Sequence, residues 1–161
     1  MKRVPHRRRR EKKTDYKQRL ALLKSGEYRL VIRKSNNSTL GQIIKYEKQG
    51  DKTLISVNAL ELKSLGWKHH CGNLPAAYLA GLLLGKKASE KKIKKAVLDI
   101  GLQTSTKGNR IYAFLKGVLD MGIEVPHSED ILPTEDRIKG KHIGKEVVNT
   151  FEEVKKKILG E

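Results

Sequence analysis

The sequence predicts an α/β domain with a mixed sheet and the element order βββαβα, and three observations carry that prediction. Apolar and polar residues alternate between Tyr28 and Asn58, as in strands with one buried face. From Leu74 the apolar period lengthens to three and four residues. A short apolar run, Ala96 to Gly101, then separates two helical stretches. A basic N-terminal arm precedes this core and a helical C-terminal tail follows it.

The first strand starts at Tyr28, with Leu30 and Ile32 on one face and Arg29, Val31 and Arg33 on the other; it stops at the turn Ser35, Asn36, Asn37, Ser38. Leu40, Ile43, Ile44 and Tyr46 form the second, ended by Gln49, Gly50 and Asp51, and the β-branched run Thr53 to Asn58 forms the third. Short connections between short strands predict an antiparallel meander. Asn73 is placed to cap a helix over Leu74 to Leu84, with Pro75 in its first turn and Gly85 as its stop. It is apolar around most of its circumference, which predicts the most buried element. Ala96 to Gly101 is the fourth strand, expected parallel to the first through a right-handed crossover. Ile111, Phe114, Leu115, Val118 and Leu119 then mark an amphipathic helix that Gly122 ends. The two helices are expected to cover the faces of the sheet. After Pro126 a loop crosses the surface, and Val147, Val148, Phe151, Val154 and Ile158 predict a terminal helix from Lys145 to Leu159. The chain thus divides into an arm and lead-in helix (1–24), an α/β core (25–125) and a tail packed on that core (126–161).

Charge narrows the function. The 161 residues carry 35 Lys and Arg against 18 Asp and Glu, a net charge of +17, and such self-repulsion points to a polyanionic partner. Residues 1–24 hold 11 basic and 2 acidic side chains, residues 25–125 hold 17 and 8, and residues 126–161 hold 7 and 8. Arg7, Arg8, Arg9 and Arg10 are contiguous, Pro5 is expected to break any early helix, and helical apolar spacing begins only at Tyr16. The first dozen residues are therefore expected not to pack alone but to order on nucleic acid. Guanidinium forks match phosphate, and no lipidation motif or amphipathic face accompanies the run, so a membrane is not the expected partner. The apolar-rich stretch Leu74 to Leu84 is too short to span a bilayer, the N-terminus lacks the apolar run of a signal peptide, and the single cysteine, Cys71, allows no intrachain disulfide. A reducing cytosol is the expected compartment.

The candidate sites follow from this. Thr104 to Arg110 places hydroxyls, a glycine and the cations Lys107 and Arg110 before a helix N-terminus, where free N–H groups favour a phosphate. The turn from Arg33 to Asn37 sets a cation beside two amides. His69, His70 and Cys71 lack the paired spacing of a zinc site, so neither metal nor cofactor is expected. A sheet of this order is similar to the ribonuclease H-like arrangement, which makes a two-metal nuclease the enzyme alternative. Asp99 is the sole acidic residue expected inside a core strand, and Asp120 and Glu61 stand in no patterned relation to it. An ion-pair partner is the better reading, and no small-molecule substrate is expected.

The arm, Arg29 to Ile44, Asn73 to Ala88, Val97 to Gly122 and Val125 to Ile143 together closely resemble the universal eighteenth family of large-subunit ribosomal proteins. The likeness is to its archaeal form, related to a larger eukaryotic 5S-rRNA-binding counterpart. The resemblance implies a fold of the translational-machinery-component type. It also implies a non-enzymatic protein of the cytoplasmic ribosome that binds 5S rRNA, large-subunit rRNA and neighbouring ribosomal proteins in the central protuberance. Transferred onto matching positions, it makes Arg3, Arg7, Arg8, Arg9, Arg10, Lys12 and Lys13, continued by Tyr16 and Arg19, the RNA-entering element. Arg33, Ser35, Asn36 and Asn37 fall in the first turn, Ser105, Lys107, Asn109 and Arg110 in the loop before the second helix, and Arg137, Lys139, Lys141 and His142 in the tail. A general nucleic-acid-compacting protein is the alternative that the arm alone would permit.

Overall fold

The alternation between residues 28 and 58 becomes three antiparallel strands, β1 (Tyr28–Lys34), β2 (Thr39–Lys45) and β3 (Lys52–Asn58), in a computed structural model that describes residues 4–160. Arg3 lies outside the described residues. The fourth strand, β4 (Ala96–Asp99), pairs parallel to β1, with Leu30 opposite Leu98, so the sheet runs β3-β2-β1-β4. It ends two residues before the expected Gly101, because the chain turns there with Gly101 at φ +62°.

Ahead of the sheet, the arm forms one helical turn, α1 (Arg7–Arg10), and a helix α2 (Tyr16–Leu23), neither of which buries a residue. The expectation that Pro5 breaks any early helix needs correction: a helical turn starts two residues after it, where the proline ring no longer restricts the backbone. Asp15 caps α2 by accepting from the Lys17 and Gln18 N–H groups. A 3-10 stretch, Ala59–Leu65, follows β3 and has no counterpart in the expected order; Asn58 and Glu61 close a reciprocal capping box at its start. The two long helices are α3 (Leu74–Glu90) and α4 (Arg110–Asp120). Beyond them come a short helix α5 (Glu135–Ile138) and the terminal α6 (Lys145–Leu159).

Two further expectations need correction. Gly85 does not stop α3, which continues to Glu90; a Cβ there would lie 2.6 Å from that of Met121, so the glycine serves packing between helices. Nor do α3 and α4 divide the sheet faces between them. They pack on each other and on the same face, above Leu30, Ile32, Ile43, Ile55 and Val57. Phe114 of α4 seats its ring on Gly41 of β2, where any side chain would collide with it. The other sheet face is left to α2 and solvent.

The contact between α3 and α4 is backbone on backbone. A Cβ at Gly81 would stand 2.1 Å from the Phe114 carbonyl oxygen, and one at Gly117 2.3 Å from that of Tyr78. Neither carbonyl is the end of a flexible side chain, so the helices themselves must separate to admit a methyl group. Gly81→Ala is expected to lower stability by about 3 kcal/mol, the upper end of ordinary overpacking costs, measured as a shift in urea midpoint at unchanged slope. On the far side of α3, α6 buries Val147, Phe151, Val154 and Ile158, and the Phe151 ring lies 5.6 Å from that of Tyr78. Burial and the adjacent Asp120 carboxylate, which accepts the Tyr78 hydroxyl proton at 2.7 Å, push the Tyr78 pKa upward.

Candidate nucleic-acid interface

One end of the domain gathers the predicted loops. The β1–β2 turn carries Ser35, Asn36 and Asn37, all exposed. Gln103 ties this turn to the loop before α4, accepting the Lys34 N–H at 3.2 Å and donating to the Lys34 carbonyl at 3.1 Å. Arg110 Nη1 donates to the Gly72 carbonyl at 2.6 Å, and Gly72 also abuts the Asn36 carbonyl. The Gly108 N–H donates to Ile131 at 2.9 Å, which brings the tail alongside. Gly140, just past α5, lies against Pro75 at the start of α3. These short contacts bring the loops ahead of α3 and α4 and the tail around α5 to one rim.

Within that rim the side chains differ in what they have left to offer. Lys107 is exposed and makes no ion pair among the described residues, as is true of Arg137. Arg110 is half-buried and spends a donor on the Gly72 carbonyl, while Ser105 bonds the Tyr112 hydroxyl. Asn109 does not cap α4 with its side chain; it donates to Thr106 Oγ1 at 3.2 Å and so holds the loop closed. Lys139 and Lys141 face Glu135 and Asp136 across surface ion pairs. Those partners pull the Asp136 carboxyl below its usual range and lift Lys141 above its own. His142 is exposed. His69, His70 and Cys71 turn to separate partners: His69 Nε2 meets Thr150 Oγ1, His70 Nδ1 accepts the Gly72 N–H, and Cys71 Sγ lies 3.9 Å from the His69 carbonyl.

The arm approaches from the sheet's other face. Arg7, Arg8, Arg9, Arg10, Lys12 and Lys13 are all exposed, and the only acidic side chain within their run, Glu11, pairs with Arg7 and Lys13. Arg8 Nε donates to Thr14 Oγ1, and the His6 ring lies 5.2 Å from that of Tyr16. These exposed contacts are worth at most about 1 kcal/mol each and yield readily to a phosphate. Between arm and sheet runs a cleft of about 540 Å³, reaching from Arg8 and Tyr16 to Arg33 and Gly101.

Two residues that sequence reasoning left out, Arg29 and Asp51, hold this cleft together. Arg29 is 3% exposed on β1, donates to Asp99 Oδ2 at 2.9 Å, and also donates to Asp51 Oδ2. Asp51 accepts in turn from Arg19 of α2 at 2.7 Å. Arg33 completes the chain, donating to Asp99 Oδ1 at 3.0 Å and to the Asp99 carbonyl at 2.6 Å. Arg19, Asp51, Arg29, Asp99 and Arg33 thus alternate in sign from the arm to the rim. Two candidate RNA contacts, Arg19 and Arg33, are already paired inside the protein. The available signal was the cation at position 29, placed between apolar residues in a strand whose parallel partner carries the single strand carboxylate.

Burial alone would raise the Asp51 pKa, but the hydrogen bonds and charges of Arg19 and Arg29 outweigh it and hold the carboxyl below its ordinary value of 3.8. A depressed folded pKa means that the stabilisation is complete above the ordinary value and is lost as pH falls through the folded one. The protection of the α2 amides, taken relative to their intrinsic exchange at each pH, is therefore expected to fall once pH drops below 3.8, ahead of that of α3. Asp51→Asn is expected to produce the same release at neutral pH, raising trypsin cleavage after Arg19 about tenfold, since it removes charge-assisted bonds from both arginines.

A basic arm and a cation-rimmed loop cluster on an α/β body are the features of a protein built to meet a polyanion. The family model for "Ribosomal large subunit proteins 60S L5, and 50S L18" matches residues 2–95 and 86–128, and the chain belongs to that family of structural, non-enzymatic proteins of the cytoplasmic ribosome. It is similar to the large ribosomal subunit protein uL18 of Methanococcus maripaludis, with 55% identity over 141 residues that cover 88% of this chain and 73% of the relative.

Proposed function

We propose that this ribosomal protein binds 5S rRNA and helps attach it to the large-subunit rRNA in the central protuberance, among neighbouring large-subunit proteins. The observation that carries the proposal is the run Arg7–Arg10, Lys12 and Lys13, six exposed cations that lead across the cleft to the rim formed by the turn at Asn36 and the loop at Lys107. The arm supplies phosphate neutralisation and reach. The folded body presents a fixed shape, which suits RNA whose narrow major groove hides its base edges and leaves backbone, 2′-hydroxyl and loop contacts. Within the body, Lys107, Asn36, Asn37 and Arg137 retain free polar groups for RNA, whereas Arg19, Arg33 and Arg110 act by holding the surface that RNA meets.

Filter-binding competition among 5S rRNA, tRNA and duplex DNA tests this reading. The labelled 5S complex is expected to resist tRNA and DNA at about tenfold excess and to yield to unlabelled 5S rRNA. Equal displacement by all three would replace the proposal with a general nucleic-acid-compacting role. Hydroxyl-radical footprinting of 5S rRNA with the full chain and with a chain lacking residues 1–13 then locates the arm, as protection lost only in the truncated chain.

A further inference from the structure

Strand β4 stops short of its neighbour. Its parallel ladder with β1 ends at the pair Val31 and Asp99, three residues before β1 itself ends at Lys34. Backbone groups left without a neighbouring strand need partners from elsewhere. Here side chains supply them. Arg33 Nη1 donates to the Ile32 carbonyl at 2.8 Å, while Gln103 Oε1 accepts the Lys34 N–H at 3.2 Å and its Nε2 donates to the Lys34 carbonyl at 3.1 Å. The half-buried Gln103 amide thus stands in for one further step of the ladder, with both of its ends engaged by main chain.

The two segments that this amide joins are each closed on themselves. In the turn after β1, the Ser35 N–H and hydroxyl donate to the Ser38 carbonyl at 2.9 and 3.0 Å, and the Ser38 N–H donates back to Ser35 Oγ at 3.1 Å. In the loop before α4, the Asn109 N–H donates to the Thr106 carbonyl at 3.3 Å and the Asn109 side chain to Thr106 Oγ1 at 3.2 Å. Each segment therefore moves as a unit, and the angle between the two is what remains adjustable. Among the described residues, the only hydrogen bonds between Lys34–Ser38 and Gln103–Asn109 are those of the Gln103 amide. The turn presents Asn36 and Asn37 to solvent and the loop presents Lys107. A body that recognises folded RNA by shape needs such contacts at a fixed spacing, and fixing them before binding removes an ordering cost.

We infer that Gln103 is a positioning residue for RNA selection: it sets the spacing between Asn36 and Asn37 on one side and Lys107 on the other, without touching RNA itself. The inference rests on the 5S rRNA reading above. Gln103 carries no charge, so its replacement leaves every cation in place, and binding that depends on phosphate neutralisation alone is unaffected. Selectivity for one folded RNA, which needs turn and loop to engage together, is what it controls.

The experiment compares the full chain with its Gln103→Met variant, which keeps the side-chain length and removes the amide, by filter binding to 5S rRNA, tRNA and duplex DNA. Gln103→Met is expected to weaken 5S rRNA binding about tenfold while tRNA and DNA binding stay within about twofold. Water replaces the lost bonds at a half-buried site, so the thermal midpoint is expected to fall by about 3 °C or less. A double-mutant cycle then reads the positioning directly. Replacing Asn36 and Asn37 by Ala is expected to weaken 5S rRNA binding about fivefold in the unmodified chain and less than about twofold in the Gln103→Met chain, where the displaced turn has no contact left to lose. A 5S preference that survives Gln103→Met, whether all three nucleic acids bind more weakly or none does, would overturn the inference and leave the 5S reading standing. So would asparagine losses of equal size in the two backgrounds. An unmodified chain without 5S preference removes the RNA reading and the inference together.

Discussion

Removing residues 1–13 is expected to weaken binding to 5S rRNA about a hundredfold or more at physiological ionic strength and to flatten its salt dependence to less than half. Arg7, Arg8, Arg9, Arg10, Lys12 and Lys13 are exposed, and among the described residues their side-chain partners are Glu11 and Thr14. Each cation that neutralises a phosphate releases counterions, so about six contacts give a slope of log K against log salt near −4 to −5 for the full chain. The body keeps a smaller slope from Lys107, Arg137 and their neighbours. Filter binding between 50 and 200 mM salt measures both values, and an equal slope for the two chains would show that the arm does not carry the affinity. Among the described residues the truncation removes none that is buried, so thermal unfolding is expected to change little.

The second large effect concerns stability. Asp99→Ala is expected to cost about 3–5 kcal/mol, the usual consequence of taking one partner from a buried ion pair. Arg29 is 3% exposed, its Nε has no hydrogen-bond partner among the described residues, and of the carboxylates paired with it there Asp51 would remain to balance its charge. Arg33 would lose its carboxylate partner and the Gly101 N–H its acceptor. Asp99→Asn keeps the shape and some of the hydrogen bonds, so an intermediate loss is expected. Adding Arg29→Met to Asp99→Ala should recover much of the deficit, since an apolar side chain at that position no longer needs a counter-charge. Urea denaturation of the three variants separates the outcomes: equal losses for Asp99→Ala with and without Arg29→Met would mean that Asp99 acts through packing instead of charge.

Asp99 also illustrates how far single-residue reasoning reaches. A carboxylate in a strand of a ribonuclease H-like sheet invites a nuclease reading, and the absence of patterned acidic companions already argued for an ion pair. Its partners are Arg29 and Arg33, seventy and sixty-six residues away. Asp120 accepts from Tyr78, and Glu61, whose pKa burial raises but the Asn58 N–H and Lys87 together depress, closes a helical cap. Arg33 stood out as a phosphate ligand because it is a cation at a strand end, a description that holds equally for a residue turned back on its own sheet.

Local pattern was enough for the strands, the Asn73 cap, the parallel return of Ala96 to Asp99 and the terminal helix, since alternation, capping and crossover handedness act over a few residues or follow from chirality. The exposed arm, too, was legible from its charge, because a contiguous block of arginine has no low-energy way to bury itself. What only the tertiary structure decided were pairings between distant segments: α3 and α4 on a single face, Gly81, Gly85 and Gly117 as points of helix contact, and the alternating charges that tie α2 to the sheet. A glycine that stops a helix and one that lets another helix approach are identical in sequence; the distance to the partner backbone tells them apart. The same holds for a cation kept for RNA and one already held by a carboxylate, because electrostatic energy depends on separation and burial, which the order of residues does not contain.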